Sequence, residues 1–155
     1  MKLQELYLSF FDSLIINNFF SILRALDQTL WLLVIALPIG FVMSLIFALC
    51  RVSKYKLVSK PIASYIFVIR GTPLLVQIYL IYFGLGSVKA IRESFLWLVL
   101  KEPFWCGVIA LTINTIAYGS EIFRGGIQSV TKGQIESGKA LGFSVFKLYR
   151  CIIFP

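Results

Sequence analysis

The sequence contains no histidine and few charged residues, and both shortages limit its chemistry. Without imidazole it has no histidine general base, no histidine metal ligand and no Ser-His-Asp or Cys-His arrangement. Its three cysteines lie far apart, a spacing that favours neither a disulfide framework nor a zinc site. Charged residues make up 14% of the 155 residues and apolar residues 59%, against roughly 25% and 45–50% in soluble domains. This composition favours an integral membrane protein.

Three apolar stretches are long enough to cross a bilayer, and we predict spans at residues 28–50, 61–86 and 104–124. In the first, residues 30–49 carry no charge. At about 1.5 Å per residue they cover about 30 Å, the thickness of a hydrocarbon core. Small residues recur at every fourth position of this span: Ala36, Gly40, Ser44 and Ala48. This spacing predicts close packing against a neighbouring helix.

The second span contains a charge and two helix breakers. Arg70 lies inside the apolar stretch and is followed by Gly71 and Pro73. The two breakers predict a kink or local unwinding. The arginine either extends to the headgroups or faces an aqueous cavity or a carboxylate, because a charge inside the bilayer is costly.

The third span has a polar stripe. Asn114, Tyr118 and Glu121 fall on one face of a helix. A lipid-facing Asn or Glu would be expensive, so we expect this face to point into the protein or a pathway. For Glu121, near the end of the span, an interfacial position is the alternative.

The distribution of charge predicts the topology. Residues 51–70 and 124–150 contain ten basic residues and one acidic residue, whereas residues 1–29 and 86–103 contain five of each. Basic loops stay in the cytoplasm, which places residues 51–60 and 124–150 there and the N-terminus outside. Because the basic residues flank the spans, nucleic-acid binding is a poor explanation for the net charge of +8.

The last part of the chain predicts two short helices, at residues 131–141 and 144–152. Gly142 would separate them in a left-handed turn, and Ser144 would cap the second helix. The first helix has small residues that would permit docking into the groove of a partner: Ser137, Gly138 and Ala140. An amphipathic helix on the membrane surface is the alternative.

Three stretches resemble the permease subunits of bacterial ABC importers for polar amino acids, of the histidine/glutamine/arginine type. They are RGTPLLVQ at 70–77, AYGSEIFRGGI at 117–127, and ESGKALG at 136–142 with IIFP at 152–155. The last resembles the EAA loop, which reads Glu-Ala-Ala, three residues, Gly, nine residues, Ile, one residue, Leu-Pro. Here Ser137 and Gly138 replace the two alanines, and Phe154 replaces the leucine.

The resemblance implies an all-α integral membrane helical bundle, with residues 1–155 as a single partial domain. Three of an expected five transmembrane helices would be present, because family members continue past Pro155 with roughly two more spans. We therefore expect a fragment, a truncated gene product or part of a split subunit. A cytoplasmic loop at about 131–155 would couple to the ATPase through Glu136, Ser137, Gly138, Ala140, Leu141 and Gly142. Residues expected to line the pathway are Arg70, Gln77, Asn114, Tyr118 and Glu121.

The resemblance also implies partners and a location. A permease of this type is not an enzyme and binds no cofactor of its own, since ATP and magnesium are used by a partner ATPase dimer. A second permease subunit, identical or related, and an extracytoplasmic amino-acid-binding protein would complete a multi-pass system in the bacterial inner membrane. The transported amino acid is not specified. Two alternatives are a non-transporting truncated remnant and an unrelated small membrane assembly protein.

Overall fold

Helices make up all the regular structure in the computed structural model, which describes residues 2–153, with side chains for residue 15 and residues 18–152. The predicted all-α class is confirmed. The α-helices are α1 (Lys2–Val52), α2 (Lys56–Arg70), α3 (Leu74–Tyr79), α4 (Lys89–Arg92), α5 (Trp97–Leu100), α6 (Pro103–Ser129), α7 (Lys132–Ala140) and α8 (Val145–Leu148). Short π-helical segments cover Leu80–Leu85 and Tyr149–Ile153. The chain divides into two compact units, one ending at Ile35 and the other beginning at Ala36.

The first predicted span belongs to a helix that begins much earlier than residue 28. The apolar part of α1 runs over Asn18–Val52, 35 residues, and is long enough to cross a membrane. The predicted start was set by the charges of Arg24 and Asp27. Those charges do not interrupt the helix, because no glycine or proline precedes Pro38.

The third predicted span corresponds to α6, which is also long and apolar enough to cross a membrane. Pro103 stands in its first turn, where the missing N–H leaves no hydrogen bond unmade. The helix continues five residues beyond the predicted end at 124, up to Ser129. Gly125 and Gly126 lie in this extension and do not end the helix.

The second predicted span is not one straight helix. It consists of α2 and the helical stretch Leu74–Leu85, which meet at an angle of 105°. The break lies at Gly71 and Pro73, where the sequence predicted a kink. Proline lacks the backbone N–H that would continue the helix and disfavours helical geometry at Thr72. We call α2 with Leu74–Leu85 the bent pair.

Two small residues of α1, Gly40 and Ser44, lie directly against α6. All four members of the predicted stripe are buried: Ala36, Gly40, Ser44 and Ala48. A Cβ atom on Gly40 would lie 2.7 Å from Thr115 Cβ, and one on Gly119 would lie 2.8 Å from Ser44 Oγ. Larger side chains would therefore force the two backbones apart. The predicted close packing of this stripe is confirmed.

Replacing Gly40 by alanine is expected to destabilise the contact between α1 and α6. The added methyl group overlaps Thr115, and overpacking of this kind costs about 1–3 kcal/mol. Gly125→Ala in α6 is the matched control, because apart from its own turn of helix no described residue lies within 4 Å of its Cβ position. Thermal unfolding in detergent should give a lower midpoint for Gly40→Ala than for Gly125→Ala. Equal midpoints would contradict the close approach.

Candidate functional site

The break in the bent pair is filled by the side chain of Gln77. Its Nε2 atom donates to the backbone oxygens of Ile69 and Thr72, at 2.8 and 3.0 Å, and lies 2.9 Å from Thr72 Oγ1. The amide has two N–H bonds and three acceptors, so one N–H is shared between two acceptors in a bifurcated hydrogen bond. The side chain is 6% exposed. Gln77 thus replaces hydrogen bonds that the helix loses where it breaks.

Three hydrogen bonds join the bent pair to the middle of α6; one is long, from Tyr118 Oη to the Arg70 carbonyl at 3.5 Å, and the other two lie at adjacent residues of α6. Asn114 Nδ2 donates to Gln77 Oε1 at 3.3 Å, so the glutamine is bonded at both ends of its amide. Tyr65 Oη donates to the Ile113 carbonyl at 2.7 Å, on the other side of the break. The two bonds hold adjacent positions of α6 and fix the break against that helix.

Arg70 and Tyr118 meet beside the break. The guanidinium carbon of Arg70 lies 5.3 Å from the centroid of the Tyr118 ring, within the range of a cation–π interaction. Both side chains are exposed, and Arg70 forms no ion pair in the part of the chain that the structure describes. Four of the five residues predicted to line a pathway are therefore brought together: Arg70, Gln77, Asn114 and Tyr118. We call these four residues the polar cluster.

The fifth predicted residue, Glu121, pairs within its own helix. Arg124 Nε donates to Glu121 Oε1 at 3.0 Å, and Arg124 also donates to Gln128. The other carboxylate oxygen of Glu121 is buried and accepts no hydrogen bond from the described residues. Arg51 and Arg70 lie farther from this carboxylate than Arg124 does, and their positive charges also attract it. Arg124 was not predicted as a site residue, although its spacing of three from Glu121 is the spacing of a helical ion pair.

Residues 131–153 form the predicted pair of short helices, which we call the C-terminal hairpin. Gly142 separates α7 from α8 with a φ of +75°, the left-handed conformation predicted for it. Ser144 Oγ accepts from the Lys147 N–H at 3.3 Å, as expected of a helix cap. Thr131 and Gln134 form a capping box at the start of α7, which the sequence signalled by their spacing.

The small residues of α7 divide between two faces. Gly138 is buried, and a Cβ atom there would lie 2.6 Å from both Leu148 Cδ2 and Ile152 Cδ1. Its small size therefore serves packing within the hairpin. The other predicted coupling residues are exposed: Glu136, Ser137, Ala140, Leu141 and Gly142. Of the EAA-like pattern, Phe154 and Pro155 lie outside the described residues.

Comparison with known proteins identifies the family of the second unit. Residues 36–155 match the family model described as "Binding-protein-dependent transport system inner membrane component". This range includes the bent pair, α6, the polar cluster and the C-terminal hairpin. A match over most of the chain is incompatible with an unrelated membrane assembly protein.

Individual relatives agree with this match. The nopaline transport system permease protein of Agrobacterium fabrum is 49% identical over 143 residues, covering 92% of this chain and 59% of the relative. The histidine/lysine/arginine/ornithine transport system permease protein of Escherichia coli K12 is 45% identical over 128 residues, covering 82% of this chain and 54% of the relative. The chain thus spans a little over half the length of these relatives.

A solved structure is similar in fold as well as in sequence. A crystal structure of an amino acid ABC transporter with histidines matches this chain with 39% identity and a TM-score of 0.66. The match covers 88% of this chain and 63% of the transporter chain. The resemblance to amino-acid importer permeases is confirmed. The chain belongs to the family of binding-protein-dependent transport system inner membrane components.

Proposed function

We propose that this chain forms part of the translocation pathway of an ATP-driven uptake system for polar amino acids. It would act as a multi-pass permease subunit in the bacterial inner membrane. The observation that carries the proposal is the polar cluster, where Arg70, Gln77, Asn114 and Tyr118 meet at a broken helix. Broken helices within a bilayer occur where the backbone lines a cavity or is buried in protein. A polar solute can lose its hydration shell there and form hydrogen bonds with these side chains instead.

The chemistry of the polar cluster suits an amino acid. Every amino acid carries an α-carboxylate at neutral pH, and a guanidinium binds a carboxylate with two hydrogen bonds. Arg70 lies beside Tyr118 and has no carboxylate partner among the described residues. We propose that Arg70, Asn114 and Tyr118 face the substrate. Gln77 would stabilise the break through its hydrogen bonds. Glu121 would lie nearer the cytoplasmic end of the pathway. The names of the Escherichia coli relative and of the solved transporter support polar amino acids as the substrate class.

The C-terminal hairpin would connect transport to ATP hydrolysis. We propose that residues 136–142 dock on a partner ATPase dimer through the exposed side of α7. The buried Gly138 would let α7 lie tightly on α8, and the turn at Gly142 would hold the pair in shape. ATP and magnesium would bind to the ATPase and not to this chain. Closure of the ATPase dimer would then move α7, and with it the spans, between inward-open and outward-open states.

Two further partners complete the proposed system. A second permease subunit, identical or related, would face this chain across the pathway, since one bent pair and α6 cannot enclose a polar route alone. An extracytoplasmic binding protein would deliver the amino acid, as the family description implies.

Replacing Gln77 by methionine, which has a similar length, is expected to disrupt the break. The backbone oxygen of Thr72 loses its donor, and an unsatisfied buried acceptor costs about 1–3 kcal/mol. The Ile69 oxygen keeps the Thr72 N–H and hydroxyl as donors. We expect a lower thermal midpoint in detergent. ATP-driven uptake of a radiolabelled polar amino acid into vesicles holding permease, ATPase and binding protein should fall several-fold.

Gln28→Met is the matched control, because Gln28 is exposed and lies in the first unit. It should leave both measurements unchanged. Equal uptake by the two variants would contradict the proposed role of the break. Absence of uptake by the unchanged permease would favour the non-transporting remnant instead.

Placing a charge on the exposed side of α7 is expected to separate the permease from its ATPase. Leu141 is 74% exposed at the end of α7, and Leu141→Asp should abolish co-purification of the ATPase without preventing membrane insertion. Gly142→Val should have the same result, because a β-branched residue is strained at a φ of +75°.

Leu57→Asp is the control for Leu141→Asp. Leu57 is 92% exposed, and the charge distribution places it on the same side of the membrane. This variant should retain the ATPase. If Leu141→Asp and Gly142→Val also retained it in full, residues 136–142 would not be the coupling segment.

A further inference from the structure

A cavity of about 410 Å³ lies in the loop between the bent pair and α6, at the opposite end of α6 from the C-terminal hairpin. We call it the loop cavity. Tyr82 and Ser87 line it from the end of the bent pair, and Trp97 and Lys101 line it from the segment that precedes α6. Lys101 stands two residues before the start of α6. If the predicted spans cross the bilayer, the cavity lies where two of them end, near the lipid headgroups.

Two cations in the loop cavity have no acidic partner among the residues that the structure describes. Arg92 also lines the cavity, where its Nε atom donates to the Gly86 carbonyl and its guanidinium carbon lies 5.6 Å from the centroid of the Trp97 ring. This leaves the terminal nitrogens of its guanidinium available. Within the described residues neither Arg92 nor Lys101 forms an ion pair, whereas the nearby Lys89 pairs with Glu93 at 3.8 Å. Arg92 and Lys101 thus give the cavity two positive charges that an anion would complement.

The surroundings of the loop cavity are apolar. Phe95 is 79% exposed and Leu98 is 68% exposed, on either side of Trp97. Leu96 and Val99 are exposed as well, so the segment presents consecutive apolar side chains around an aromatic residue. Exposed aliphatic side chains next to tryptophan, tyrosine and basic residues are typical of the boundary between lipid headgroups and acyl chains.

We infer that the loop cavity binds the phosphate headgroup of an anionic phospholipid. The phosphodiester would accept hydrogen bonds from Arg92 and Lys101, and the acyl chains would lie against Phe95 and Leu98. An acidic surface of a soluble protein would also complement the two cations. The apolar side chains favour the lipid, because a water-soluble protein that docks and leaves would repeatedly expose them to water.

Fluorescence quenching tests this inference on the full chain in vesicles. Trp97 becomes the only tryptophan when Trp31 and Trp105 are replaced by phenylalanine. Lipids with brominated acyl chains quench a tryptophan that they touch. We expect brominated phosphatidylglycerol to associate about 25-fold more strongly with the Trp97 site than brominated phosphatidylcholine, since two basic residues near the surface give a preference of about five-fold each.

Three variants, each with one positive charge fewer, distinguish a specific binding site from general electrostatic attraction between the loop and anionic lipids. Lys101→Gln and Arg92→Gln should each lower the preference for phosphatidylglycerol about five-fold. Lys89→Gln should retain it, because Lys89 does not line the cavity and is paired with Glu93. An equal loss in all three variants would mean general attraction to the loop and would overturn the inference.

Two further results would assign the cavity to another ligand. If inorganic phosphate in the buffer abolished the preference, the cavity would be a free-phosphate site. If phosphatidylglycerol showed no preference and the soluble binding protein changed the Trp97 emission, the cavity would belong to a protein contact. Either result would overturn the lipid assignment, and a preference unaffected by phosphate supports it.

Discussion

The architecture of the second unit depends on how a broken helix satisfies its backbone hydrogen bonds inside a membrane. Pro73 removes one N–H group, and the turn after Arg70 leaves carbonyl oxygens at the end of α2 without their usual partners. Lipid offers no hydrogen-bond donors, and at this break protein side chains supply the missing ones. The Gln77 amide donates to Ile69 and Thr72, and the Thr72 hydroxyl donates to Val68 and Ile69. The sharp bend of the second span is therefore compatible with the membrane because of these two side chains.

The remaining contacts follow from that bend. Because Gln77 uses its nitrogen on the break, its oxygen is left for Asn114, and this bond attaches the bent pair to the middle of α6. On another face α6 is held against α1 by glycines that allow the backbones to approach closely. The bend and its attachment together bring the guanidinium of Arg70 to the ring of Tyr118. A structural requirement of the backbone thus creates a concentration of polar groups in an apolar bundle.

Local features of the fold were predictable because they depend on neighbours in the sequence. The break at Gly71 and Pro73, the burial of the small stripe in α1 and the turn at Gly142 all follow from residue type and spacing. The 105° angle between the two halves of the second span did not follow, since it depends on hydrogen bonds between distant segments. The inward position of Gly138 was also missed. A small residue on a short helix allows close contact on either side, and only the position of α8 decides which side.

The central claim is that the polar cluster faces an aqueous pathway, and cysteine labelling tests it most directly. With the three native cysteines replaced by serine, Tyr118→Cys should react with a small hydrophilic thiol reagent, and a transported amino acid should slow the reaction. Val42→Cys is the control, since Val42 lies on the side of α1 away from α6 at a similar depth and is 57% exposed. It should not react. An unreactive Tyr118→Cys, or equal labelling at both positions with no effect of substrate, would contradict the account.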